Sequence, residues 1–146
     1  MSTLYDKLLF EELLSIISLN MKLYLLSPEI YVQATASLSG PPAELFTAYV
    51  GMRDTIGFVI TPWLRDQVAK QLEAGGFDKE KAVEQAEFIA SLGHAADDPK
   101  DLGDEPLIAI AKSLKLKEVY HASGKEGTVD GVTYKPVGEL HAKLTS

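Results

Sequence analysis

The chain has 146 residues, a formal net charge of −7, 46% hydrophobic residues and no cysteine. That length fits one domain able to bury about 70% of its unfolded surface. The composition excludes disulfides, thiolate metal sites and a cysteine nucleophile. No run approaches the roughly 20 apolar residues of a membrane span, and Asp6, Glu11 and Glu12 sit where a signal peptide would be basic. The expectation is a soluble, cytoplasmic protein with no membrane association.

The charge is uneven. Residues 78 to 105 hold 9 acids against 3 bases, whereas 106 to 146 hold 4 acids and 6 bases. An acidic chain without a cluster of Lys and Arg is a poor passive binder of nucleic acid, and no DNA-binding motif is present.

In chain order, Leu4, Leu8, Leu9, Leu13, Ile16 and Ile17 form one stripe of an amphipathic helix over about 4 to 18. It packs on its own core or serves a dimer interface. Lys22 to Leu26 is apolar enough for a covered central strand, and Ser27-Pro28 ends it, with Ser27 expected to cap a helix from Pro28 to about Leu38. Gly40-Pro41-Pro42 breaks the chain before a helix over about Ala43 to Arg53. Gly57 to Ile60 reads as the second strand. Thr61 caps the next helix, Pro62 fits its first turn, and Gly75-Gly76 ends it. Asp78 to Leu92 is a further amphipathic helix, closed by Gly93.

The segment Asp97 to Lys125 carries most of the functional information. Asp104 and Glu105 stand at a helix start, Pro106 fits the first turn, and Leu107, Ile108, Ala111 and Leu114 recur at helical spacing. Lys117 to Ala122 follows as a strand. Asp130-Gly131 then lies between Thr128-Val129 and Val132-Thr133, a hairpin signal, and a terminal helix spans about Val137 to Leu144. Strands alternating with helices predict a three-layer α/β/α fold around a mostly parallel sheet, with ligands beyond the C-terminal strand ends.

Several segments converge on that crevice. Ser27 and Glu29 follow the first strand, Trp63, Asp66 and Gln67 the second, Asp101, Asp104 and Glu105 precede the organising helix, and His121, Ser123, Gly124 and Lys125 end its strand. Clustered carboxylates there suit Mg²⁺ or Mn²⁺ and phosphodiester hydrolysis. The simpler account is that acids at a helix start offset its dipole and are solvated. Ser123 to Gly127, SGKEG, lacks P-loop spacing and leads into a hairpin, so it reads as a turn. No G-x-S-x-G elbow occurs, and His94, His121 and His141 lack metal-ligand spacing. Trp63 either stacks a base or packs in the core.

Over about residues 22 to 144 the order of elements resembles the PIN-domain nucleases, metal-dependent ribonucleases that include many toxins of toxin–antitoxin pairs. Leu23 to Val32, LYLLSPEIYV, is similar to the family's opening strand and turn; Asp104 to Lys125 is similar to its late helix and strand, and Val132 to Leu144 to its closing segment. On this resemblance the chain is one PIN-like domain, with a helical extension over 1 to 20 and an α/β core over 22 to 144. The resemblance matches Asp104 or Glu105 to the family's third acid, giving tentative metal ligands, and sets the family's second acid nearest Gln67, with Asp66 beside it as a substitute. Where the family's first and last Asp stand, this chain has Ser27 and the Ala122-Ser123-Gly124-Lys125 run.

Two expectations follow. One is a catalytically degenerate, homodimeric PIN-like module for binding or regulation, joined through the N-terminal helix or the Ala43 to Arg53 region, with a protein such as an antitoxin as partner. The other is a divergent Mg²⁺- or Mn²⁺-dependent ribonuclease acting on RNA through Asp104, Glu105, Asp66 and Glu29.

Overall fold

The computed structural model describes residues 21–37 and 40–145. The helix expected over 4 to 18 lies outside the described residues. Among the described residues the chain is mixed α/β, in the order β1 (Lys22–Tyr24), α1 (Pro28–Ala36), α2 (Pro41–Val50), β2 (Ile56–Ile60), α3 (Pro62–Ala74), α4 (Lys79–Leu92), β3 (His94–Ala95), α5 (Pro106–Ser113), β4 (Glu118–His121), β5 (Gly127–Val129), β6 (Val132–Pro136) and α6 (Val137–Thr145).

The helix starts follow local chemistry. Thr61 Oγ1 accepts the Leu64 N–H at 3.2 Å and Asp78 Oδ1 accepts the Lys81 N–H at 2.8 Å, so each satisfies one of the N–H groups a first turn leaves unpaired. Pro62 and Pro106 occupy first turns, where their missing N–H is not needed. At the end of α3, Gly76 has φ 113° and Phe77 N–H returns to Leu72 O at 3.1 Å, closing the helix with a residue that tolerates the left-handed region. Asp130 and Gly131 both have positive φ, as a two-residue hairpin turn between β5 and β6 requires.

The strands make two three-stranded sheets. One has the order β1-β2-β3 and is parallel throughout; the other has the order β4-β6-β5, with β4 parallel and β5 antiparallel to β6. A parallel bridge between Leu26 and Tyr120 joins them, through Ser27 N–H to Tyr120 O at 2.8 Å and Tyr120 N–H to Leu25 O at 2.9 Å. The short strand β3 is absent from the sequence expectation, since two residues carry no period. It pairs with β2 because Gly57 lets the strands approach: a Cβ there would lie 2.8 Å from His94 Cβ.

Alternate strand residues enter different apolar clusters, as the two-residue side-chain period demands. Tyr24, Leu26, Phe58, Ile60 and Tyr120 pack with buried residues of α1, α2, α3, α4 and α6. Leu25, Val59, Val119, Val132 and Tyr134 pack with Leu64 of α3 and with Ile108, Ile110 and Ala111 of α5. Tyr49 ties three elements together. Its ring stacks on Phe58 at 3.9 Å, its hydroxyl donates to Leu92 O at 2.6 Å, and it accepts the Phe58 N–H at 3.3 Å.

Candidate functional site

Strands β1, β2 and β4 finish at one end of the molecule, and the starts of α1, α3 and α5 gather beyond them. A recess of about 150 Å³ opens there, lined by Ser27, Glu29, Trp63, Glu105, Pro106, Leu107, His121, Ser123, Lys125 and Tyr134. Its position is the one at which open α/β sheets present ligand sites.

The floor is polar and buried. Ser27 and His121 are each 3% exposed, and both follow directly on the bridge partners Leu26 and Tyr120, so they stand side by side at the strand ends. Neither Ser27 Oγ nor either ring nitrogen of His121 has a hydrogen-bond partner. Ser27 was expected to cap α1, and it does occupy the capping position, but its side chain makes no capping bond. Its N–H is bound to Tyr120 O, which holds the residue in the sheet.

The rim is charged and internally paired. Glu105 Oε2 accepts from Tyr134 Oη at 3.0 Å and lies 3.2 Å from Lys125 Nζ. The Tyr134 hydrogen bond first, then Lys125, holds the Glu105 carboxyl below its usual range, while the same contacts raise the Lys125 ammonium. Lys125 Nζ also sits 4.6 Å from the Tyr134 ring centroid, and that ring meets His121 edge-on at 5.8 Å. Burial, then the hydrogen bond to Glu105, raises the Tyr134 phenol. On the other side, Glu29 Oε1 accepts the Ala122 N–H at 3.2 Å and so pins the start of α1 to the end of β4.

The structure therefore unites Ser27, Glu29, Glu105, His121, Ser123 and Lys125, together with Trp63, and separates the other expected residues from them. Asp66 is exposed on α3 with its carboxylate 3.8 Å from Arg65 Nε, and Gln67, one position on, does not line the recess. Asp101 accepts the Gly103 N–H at 2.9 Å, and with Asp104 it lines a different hollow beside Lys112 and Asp130. Of the adjacent acids Asp104 and Glu105, only Glu105 lines both hollows. Among the described residues, no three of His, Asp and Glu come together as a group that could hold a metal ion.

Tyr134 and Asp98 are the residues that sequence reasoning missed. The inward alternation of Val132 and Tyr134 on β6 carries a signal for the first. Asp98 Oδ2 accepts the Trp63 N–H at 2.9 Å across 35 residues, so it caps α3 from a distance and has no local signature.

Elsewhere, α1, α2 and α4 border an apolar groove of about 370 Å³ that includes Tyr31, Phe46, Val50, Phe88 and Leu92, with Phe88 59% exposed. No helix among the described residues is long and apolar enough to cross a membrane. Compared with protein-family models, with curated proteins and with solved structures, the chain matches none.

Proposed function

We infer that this chain is a PIN-like α/β/α three-layer domain whose nuclease site has degenerated and whose crevice now serves binding or regulation. The observation that carries this reading is the pairing of Glu105 with Lys125 and Tyr134. An internal ammonium stands beside Glu105, the one carboxylate at the start of α5 that lines the crevice, and on the PIN-like reading that carboxylate is a candidate metal ligand. The donors present do not fit Mg²⁺ or Mn²⁺, which take six or more oxygen ligands or retained waters around clustered carboxylates. Glu29 is engaged by the Ala122 N–H, Asp66 and Asp104 lie outside the crevice, and on the family resemblance Ser27 and the Ala122-Ser123-Gly124-Lys125 run stand where the family has acids.

The alternative, a divergent ribonuclease acting on RNA, draws support from Glu29 and Glu105 lining the same crevice. Calorimetric titration with Mn²⁺ separates the two. The degenerate reading requires no saturable binding to the wild-type chain or to the Asp104→Asn, Glu105→Gln double variant. Saturable binding that the double variant loses would establish the nuclease reading in its place. Assembly as a homodimer belongs to the same proposal, and the half-exposed Val50 and Phe88 beside the α2 groove support it. Sedimentation of the wild type against Phe88→Glu tests it, with loss of the dimer expected. An antitoxin-like protein partner is a further part of this reading, tested by co-purification with the wild type and with Phe88→Glu.

A further inference from the structure

We propose that the crevice at the strand ends binds an uncharged planar heterocycle carrying an amide-type edge, the chemical class to which uracil belongs. The proposal rests on the juxtaposition of Ser27 and His121, both buried and without a hydrogen-bond partner, at the floor of a recess walled by Trp63, Tyr134, Pro106 and Leu107. It stands independently of the PIN-like reading, because it uses no acid of the nuclease pattern as a ligand.

Charge selects against ions. Glu29 and Glu105 bring two carboxylates to the recess against the single ammonium of Lys125, and an oxyanion would be repelled by the excess. A cation would have to compete with Lys125 for Glu105 and with the Ala122 N–H for Glu29. A neutral ligand meets neither penalty.

Hydrogen bonding selects the edge. A hydroxyl donates one bond and accepts others, and an imidazole ring carries at least one N–H donor. Side by side, Ser27 and His121 therefore present a donor and an acceptor together. An amide edge, with C=O adjacent to N–H, answers both at once. Each such group left unpaired in a buried site costs about 1–3 kcal/mol, so a ligand that satisfies them is favoured over one that cannot.

Shape selects the ring. Trp63, Pro106, Leu107 and Tyr134 give the recess aromatic and apolar walls between a polar floor and a charged rim, and apolar walls with a few placed polar groups are the arrangement of small-molecule sites. A volume of about 150 Å³ admits a single ring, well below the roughly 300–1,000 Å³ of drug-sized pockets. The Trp63 ring supplies the surface on which a planar ligand stacks, since one face of the Tyr134 ring is covered by Lys125 Nζ at 4.6 Å.

The test is a titration of the full chain with uracil, followed by calorimetry and by the imidazole ¹⁵N resonances of His121. Dimethyluracil, which lacks both N–H donors, and inorganic phosphate serve as controls. We expect saturable binding with a Kd between about 1 μM and 10 mM, the range open to eight non-hydrogen atoms. The affinity should fall about tenfold or more in Ser27→Ala and in His121→Phe. Uridine and oligouridylate, titrated in parallel, place the ring: equal or tighter binding assigns it to a nucleoside or a single strand, and binding of uracil alone assigns it to a free heterocycle. The proposal is overturned if uracil does not saturate the protein, if dimethyluracil binds equally well, or if both variants bind as the wild type does. Phosphate binding that shifts the His121 resonances would also overturn it. Should His121→Phe fail to fold, Ser27→Ala and Trp63→Ala decide the outcome, with the same loss expected in each.

Discussion

Replacing Ser27 with Ala distinguishes a capping serine from one held ready for a ligand. A serine that caps a helix loses about 1 kcal/mol on conversion to Ala, because an N–H of the first turn is left unpaired. Here the hydroxyl makes no capping bond, and its oxygen is buried without a partner. Removing it leaves no donor newly orphaned and relieves the desolvation of a polar atom, a term of about 1 kcal/mol or more in the opposite direction. For 146 residues the entropy of unfolding is of order 0.3 kcal/mol per degree, so 1 kcal/mol corresponds to about 3 °C in Tm. The expected result by calorimetry, with urea unfolding as a second measure, is an unchanged or raised Tm, by up to about 3 °C. The same variant should lose heterocycle binding, since stability and binding compete at such a residue. A fall in Tm of about 3 °C would show that the hydroxyl supports the fold, and the reasoning for a vacant donor at the floor would fail.

Other outcomes follow from contacts already described. Tyr49→Phe keeps the ring stack on Phe58 but orphans the Leu92 carbonyl and the Phe58 N–H, and should cost about 2 kcal/mol, near 6 °C in Tm. Gly57→Ala drives a methyl to within 2.8 Å of His94 Cβ and should destabilise by about 1–3 kcal/mol, with amide exchange quickening first at His94 and Ala95. The Glu118 carboxyl, held down mainly by Lys135, contributes stability that is present above its unfolded pKa near 4.5 and lost as pH falls through the lower folded value. Glu118→Gln should therefore flatten the acid limb of a stability profile; an unchanged limb would refute the coupling. Because the Tyr134 hydrogen bond is the largest influence on Glu105, Tyr134→Phe should move the Glu105 midpoint in an NMR titration back up toward its ordinary range.

The composition of the sheet edge shows how site and fold are linked. The Leu26–Tyr120 bridge that joins the two sheets is what sets Ser27 beside His121. Lys135, 2.7 Å from Glu118 and 3.2 Å from Glu139, braces β4 and β6 against the start of α6. The floor of the crevice, Ser27 and His121, is thus set by paired backbone, whereas Glu105, Ser123 and Lys125 of the rim stand on loops; placement on paired backbone favours a defined geometry for side chains that meet a ligand.

Much of this architecture is written locally. Thr61-Pro62, Asp78, Gly75-Gly76 and Asp130-Gly131 act within three or four residues, through a capping hydroxyl or carboxylate or a permitted positive φ, so each could be placed from sequence alone. Helical spacing likewise placed α3, α4 and α5, and the gathering of Ser27, Glu29, Glu105, His121 and Lys125 followed from the ends of successive strands. The remaining features depend on chain separation. β3 has two residues and exists through its partner β2; the Asp98 cap on α3 spans 35 positions. Asp104 and Glu105 differ by one residue of register, and only the packed position of α5 decides that Glu105 reaches Lys125 and Tyr134. Ser27 has the residue type and position of a helix cap, yet its backbone is held by Tyr120 from β4 and its hydroxyl faces the floor of the crevice. Bonds within a turn are selected by neighbours in sequence, whereas donors and acceptors brought together across sheets are selected by packing, and the latter define this site.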